Sequence, residues 1–224
     1  DNLVLNGWMH LPEAPCPNLV IGSNGLLSSG QSAKQIALAH ALNALGLAYI
    51  RFDHRGIGQS DGNFDTDTTL ENRTRDLIAA YSFARTNYNL GDKLGLFGSS
   101  FGGSTSLNAF AELKPSAIVT VAAPLASADI LPRGVINDPN LAFFKSPAKS
   151  FDIRPKLGAV SHALIIHGTA DEIVPCAHSE LIYAAVNEPK ELLQLAGADH
   201  TISDGPNQQR LMDAAVGWFK RFMA

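Results

Sequence analysis

The stretch Leu94-Gly95-Leu96-Phe97-Gly98-Ser99-Ser100-Phe101-Gly102-Gly103 decides the fold. Its first residues are mostly apolar and read as a buried strand. Gly98-x-Ser100-x-Gly102 then forces a turn, and a helix-forming run follows. So tight a turn strains the backbone at the serine, and glycines on either side let strand and helix close on it because they carry no Cβ. The hydroxyl of Ser100 is thereby lifted clear of the sheet edge at a helix N-terminus, where N–H groups and the helix dipole favour negative charge. Ser99 is a rival hydroxyl, but the glycine spacing selects Ser100. Gly98 to Thr105 also approaches a phosphate-binding loop, G-x-x-x-x-G-K-S/T. Ser104 stands where that loop needs its lysine, and without the cation nucleotide binding is set aside.

Outward from this turn, strand and helix patterns alternate. Leu3 to His10 reads as an edge strand, Leu19-Val20-Ile21 as a short buried one, and Leu47 to Phe52 as the next. Between the last two, Ile36, Leu38, Ala41, Leu42 and Leu45 recur at helical spacing, with Gly46 as the stop. Thr68-x-x-Glu71 reads as a capping box ahead of a helix carrying Leu70, Leu77, Ile78, Tyr81 and Ala84. The helix after Ser100 runs to about Leu113. Ala117 to Val121 and Ala163 to Ile166 read as strands, then a helix opened by Pro175, a last strand from Glu191 to Leu195, and a closing helix from Gly205-Pro206 with Leu211, Ala215, Trp218, Phe219 and Phe222 on one face. The pattern predicts an α/β fold: a mostly parallel sheet covered by helices on both faces, in one domain over residues 1–224.

The chain has 224 residues, 46% hydrophobic and 17% charged, enough to bury one large core. The net charge of −4 leaves no basic footprint for nucleic acid or an anionic membrane, and no apolar run reaches spanning length. No signal-like segment is read at Asp1, and a cytoplasmic location is expected. Cys16 and Cys176 lack framework spacing and are expected as reduced thiols. Oligomeric state is not legible.

In a parallel sheet ligands lie beyond the carboxyl ends of the strands, so the loops there carry the chemistry. Serine needs a base within hydrogen-bond reach, and the base needs an orienting group. His200 follows the last strand in Gly197-Ala198-Asp199-His200, and Asp171 follows the strand before it in His167-Gly168-Thr169-Ala170-Asp171. Asp199 is the rival carboxylate. Adjacent side chains rarely orient one another, so it is assigned to shaping the loop, and His167 to packing or holding one. An attacking Ser100 creates an oxyanion that needs two donors. The backbone N–H of Phe101 is the first, and that of Leu26, in the loop after the Leu19 strand, the second. No histidine or cysteine spacing suits a metal, and no cofactor is implied.

Taken together, Asn24-Gly25-Leu26, Asp53-x-Arg55-Gly56-x-Gly58-x-Ser60-Asp61-Gly62, Gly98-x-Ser100-x-Gly102-Gly103, His167-Gly168-x-x-Asp171-x-x-Val174-Pro175 and Asp199-His200 resemble the α/β-hydrolase family over nearly the whole chain, the small esterase and acyl-peptidase-like members in particular. The chain order Ser, Asp, His is that family's order. The resemblance implies Ser100 as nucleophile, Asp171 as acid, His200 as base, and Leu26 and Phe101 as oxyanion donors. It implies that Arg55 and Asp61 tie their loop together. Many relatives carry His-Gly where this chain has Asn24-Gly25, so the oxyanion loop is expected to be held differently here.

The expected activity is a serine hydrolase cleaving small carboxylic esters through an acyl-enzyme. An acyl-peptide or prolyl-type peptidase and a thioesterase need the same three residues, and a non-catalytic binding protein keeping the fold is the reading from another class. Pro124 to Pro155 breaks the strand–helix rhythm. It reads either as a short lid over about 124–155, with Phe143 and Phe144 beside Leu27 lining an acyl pocket, or as a packed excursion.

Overall fold

The computed structural model describes residues 2–130, 143 and 146–223. At its centre is β4 (Leu94–Ser99), buried along its length until Ser99. Around it, among the described residues, runs a seven-stranded sheet in the order β1 (Gly7–His10), β3 (Ala48–Phe52), β2 (Leu19–Ser23), β4, β5 (Ala117–Val121), β6 (Ala163–Gly168), β7 (Lys190–Leu195). Only the β1–β3 pairing is antiparallel, and the remaining neighbours are parallel. The five inner strands are buried on both faces because both faces are covered, whereas the edge strands β1 and β7 are partly exposed.

Residues one apart on a strand point to opposite faces, and two cores follow from that period. Leu19, Ile21, Leu94, Leu96, Ile118 and Ile165 face α3 (Leu70–Asn87), α4 (Phe101–Leu113) and α5 (Ala177–Ala185). Val20, Tyr49, Phe97, Val119, Leu164 and Ile166 face α1 (Ala33–Asn43) and α6 (Gly205–Met223). A short α2 (Phe64–Asp67), capped by the Asn63 side chain, was not anticipated from the pattern.

Several expectations are corrected. The first strand is only Gly7–His10, because Val4 and Asn6 give their N–H groups to Asp61 Oδ2 and Ser60 Oγ rather than to a neighbouring strand. In α1 the buried side is Gln35, Leu38, Ala39 and Leu42, while Ile36 and Ala41 are half-buried and Leu45, beyond the helix, is exposed. The cap of α3 is Thr69, whose hydroxyl accepts from Asn72 N at 3.1 Å. Thr68 is instead buried, and its carbonyl receives the Lys149 ammonium. Pro175 precedes α5, whose N-cap is Cys176.

The ends of the 124–155 stretch are cinched together. Ile153 N donates to Leu125 O, Ser127 N to Phe151 O, and Phe151 N to Ser127 Oγ, with Ile130, Phe151 and Ile153 buried.

Candidate active site

The turn from β4 into α4 has the strain its glycines foretell. Ser100 sits at φ 53°, ψ −125°, a conformation an L-residue adopts only under constraint. The constraint is visible. Ser100 N donates to Val121 O at 2.7 Å, and Ser100 O accepts from Gly103 N at 2.8 Å. A Cβ on Gly98 would lie 2.4 Å from Gly102 O, and one on Gly102 2.1 Å from Ser23 O, both backbone atoms that cannot yield. Only glycine lets β4, β2 and α4 meet this closely.

Two loops bring the remaining groups to Ser100. They are sewn together: Thr169 N donates to Leu195 O, Ala170 N to Ala198 O, and Gly197 N to Thr169 Oγ1. A Cβ on Gly168 would lie 2.3 Å from Ala198 O, so that position too admits only glycine. The loops set His200 between its partners, with Nε2 3.0 Å from Ser100 Oγ and Nδ1 2.8 Å from Asp171 Oδ2. Asp199 points elsewhere, accepting from Ser203 N at 2.9 Å and Ser203 Oγ at 2.7 Å, and so shapes the turn.

The Asp171 carboxylate is fully buried and has four donors. Oδ1 accepts from Ile173 N and Val174 N at 2.9 and 2.8 Å. Oδ2 accepts from His200 Nδ1 and, at 3.0 Å, from His167 Nε2. Burial pushes its pKa up, but hydrogen bonds from His167, His200 and the Val174 backbone outweigh burial and hold it well below the usual carboxylate range. The orienting group is therefore an anion, and an anion fixes the His200 tautomer. With Nδ1–H donating to Asp171, Nε2 is left as a hydrogen-bond acceptor facing the Ser100 hydroxyl. His167 is expected to pack or to hold a loop, and it holds the one after β6. The structure adds a role: its Nε2–H is shared between Asp171 Oδ2 and Val174 O, 3.0 Å from each. The signal that could have found it is its spacing, four residues before Asp171 at the last turn out of β6.

Leu26 is buried in the loop after β2, where a Cβ on Gly25 would lie 3.5 Å from Ser100 Cβ; Phe101 is the first residue of α4. Both line a cavity of about 400 Å³ over Ser100 and His200, together with Leu27, Ile130 and Ile173. Lys34 stands at the same cavity and donates to Thr201 O. Phe143 is placed differently from the expected acyl-pocket position. It packs on Phe64, ring centres 5.2 Å apart, under the Lys149 ammonium, and is not among the cavity's described lining residues. Phe144 lies outside the described residues. Two other concavities, of about 550 and 880 Å³, lie away from Ser100.

The Asn24 departure has a local answer: Asn24 Nδ2 donates to Ser28 O across the turn. Arg55 pairs with Asp76, with Nε and Nη2 2.8 and 2.7 Å from Oδ1. Asp61 accepts from Val4 N, so both side chains tie the loop, as the resemblance implied. His54 is enclosed between Ser23 Oγ and Asp76, and burial and the nearby Arg73 push its pKa down to about 3, so its contact with Asp76 is between a neutral imidazole and a carboxylate rather than an ion pair. Cys16 and Cys176 are free. Among the described residues no helix is long and apolar enough to cross a membrane.

Sheet order, the strained serine turn and the loops beyond the strands define the class: the chain has the α/β-hydrolase fold. The model of the family described as serine aminopeptidase, S33, matches residues 16–151, more than half of the chain, and the chain belongs to that family. An uncharacterized Mycobacterium tuberculosis protein is 27% identical over 221 residues, covering 96% of this chain and 73% of its own length. The human alpha/beta hydrolase domain-containing protein 17B is 27% identical over 194 residues, covering 84% of this chain and 62% of its own. Among solved structures, Est1E from Butyrivibrio proteoclasticus with ferulic acid bound superposes with a TM-score of 0.84 at 20% identity, covering 99% of this chain and 96% of that one. A Xanthomonas campestris protein described as an a/b serine hydrolase without lid superposes with a TM-score of 0.71 at 25% identity, covering 98% and 89%.

Proposed function

We propose that this hydrolase cleaves small carboxylic esters through an acyl-enzyme formed on Ser100. The observation that carries the reading is one unbroken line of contacts, Ser100 Oγ to His200 Nε2 to Nδ1 to Asp171, opening on the cavity. His200 takes the hydroxyl proton as Ser100 attacks the ester carbonyl, and the Asp171 anion stabilises the imidazolium that forms. The tetrahedral oxygen is received by the Leu26 and Phe101 N–H groups, each such donor being worth about 10²–10³ in turnover. The imidazolium returns its proton to the leaving alcohol, and water then repeats the sequence on the acyl-enzyme.

The family description favours a peptidase as the second reading. The ammonium of Lys34 at the cavity argues the other way, since it repels the cationic amino terminus an aminopeptidase must seat and suits a neutral or anionic acyl group. Residues 1–224 are read as one domain and the location as cytoplasmic; of the stretch about 124–155, read as a short lid or a packed excursion, residues 131–142, 144 and 145 lie outside the described residues. The test is a comparison of p-nitrophenyl acetate and butyrate with aminoacyl and acyl-peptide p-nitroanilides. Higher kcat/KM on the esters is expected; higher kcat/KM on an anilide would replace this reading with the peptidase one.

A further inference from the structure

We infer that Arg73, remote from the reacting atoms, is a positioning residue that aims the Leu26 N–H at the substrate oxyanion. The inference rests on the hydrolase reading above. Arg73 is on α3, is fully buried and touches neither Ser100 nor His200 by any hydrogen bond. Its fork is directed at the oxyanion loop instead: Nη2 donates to Asn24 O, and Nη1 approaches Gly25 O at 3.5 Å. Its guanidinium carbon lies 5.0 Å over the ring of Phe101, the residue carrying the other proposed donor. One cation thus touches both halves of the proposed oxyanion site from behind.

The consequence follows from peptide geometry. The Gly25 carbonyl and the Leu26 N–H belong to one planar trans unit, so they point in opposite directions. The Gly25 carbonyl accepts from Ser28 N at 3.3 Å across the turn and faces Arg73 Nη1 at 3.5 Å; with the carbonyl kept on that side, the N–H is turned to the cavity side, where Leu26 lies beside Ser100. A peptide flipped the other way would aim a carbonyl at the developing anion and repel it. Burial pushes the Arg73 pKa down to about 9, so the group is still a cation at neutral pH. A buried cation directed at carbonyls rather than at a carboxylate is costly, and it persists only where the arrangement is fixed by its surroundings. Its Nε has no partner among the described residues, so the hydrogen bonds seen on the fork all go to this loop.

The test measures kcat and KM on p-nitrophenyl acetate for the wild type, Arg73→Met and Arg73→Lys. Active sites are counted by end-point titration with a fluorophosphonate, so unfolded molecules drop out. Losing one oriented donor is worth about 10²–10³ in turnover, so Arg73→Met should lose about 100-fold in kcat per titrated site with KM within about threefold. Affinity for an alkylboronic acid, whose tetrahedral adduct places an oxygen in the same site, should fall in parallel. Arg73→Lys, whose ammonium reaches one carbonyl, should fall between the two. Unchanged kcat per site with only fewer titratable molecules would assign Arg73 to stability alone and overturn the inference. If Arg73→Met gives no titratable protein, Arg73→Lys decides, with less than a threefold change in kcat per site overturning it. A wild type that neither titrates nor turns over the ester would instead overturn the hydrolase reading, and this inference with it.

Discussion

Replacing Asp171 by asparagine tests the electrostatic logic of the site with a change of almost no volume. In the native site every donor around the carboxylate points inward: two backbone N–H groups on Oδ1, two imidazole N–H groups on Oδ2. An amide offers one acceptor oxygen and one donor nitrogen. If the nitrogen takes the Oδ1 position, it meets the N–H groups of Ile173 and Val174, which are fixed in the backbone. Two buried donors are then orphaned, at about 1–3 kcal/mol each, or about 2–6 kcal/mol together. If it takes the Oδ2 position, it meets two imidazoles, which can move their protons. The second arrangement wins, and His200 then carries hydrogen on Nε2, facing Ser100, where it cannot accept the hydroxyl proton. A wrong tautomer in a triad lowers turnover by about 10⁴. Asp171→Asn should therefore lose about 10³–10⁴ in kcat on p-nitrophenyl acetate, with KM little changed and the thermal midpoint close to wild type. A kcat within tenfold of wild type in the folded variant would refute the reasoning.

Three further outcomes are expected. Gly102→Ala drives a Cβ to 2.1 Å from Ser23 O and should abolish folding or activity, whereas Gly158→Ala, with nothing within 4 Å of the new Cβ, should change the free energy of unfolding measured in denaturant by less than about 1 kcal/mol. Stability should fall as pH drops from about 6.5 toward 3. The folded-state pKa of His54 is depressed to about 3, so between these values the unfolded chain binds a proton that the native chain refuses, at about 1.4 kcal/mol per pH unit for that one group. Asp76 and Asp171, also held low, add to the slope in the same direction, and His54→Gln should flatten it when followed by urea titration.

Much of this architecture is legible in the chain because it is local. The glycines at 98 and 102 announce a strand-to-helix turn, since no other residue tolerates contacts of 2.4 and 2.1 Å with backbone. His200 and Asp171 stand out because both follow strands of a parallel sheet, where loops converge. Other features depend on contacts between distant positions and leave no periodic trace. Arg73 reads as an ordinary polar residue on a helix until the fold places it 48 positions away against Gly25. His167 reads as the end of a strand until Asp171 turns back over it. The cap of α3 falls on Thr69 rather than Thr68 because Lys149, 81 positions on, claims the Thr68 carbonyl. Phe143 could not be assigned from sequence to pocket or core, since an aromatic in an irregular stretch suits either. The contact with Phe64 gives it a packing role.

The central claim is that Ser100 is a nucleophile made reactive by His200. Its most direct measurement is mass spectrometry of the protein after brief exposure to a fluorophosphonate, with tryptic mapping of the adduct. A single phosphonyl group on Ser100 is expected, absent in Ser100→Ala and formed far more slowly in His200→Gln. Failure of folded wild-type protein to label, or a label on Ser99 that persists in Ser100→Ala, would contradict it.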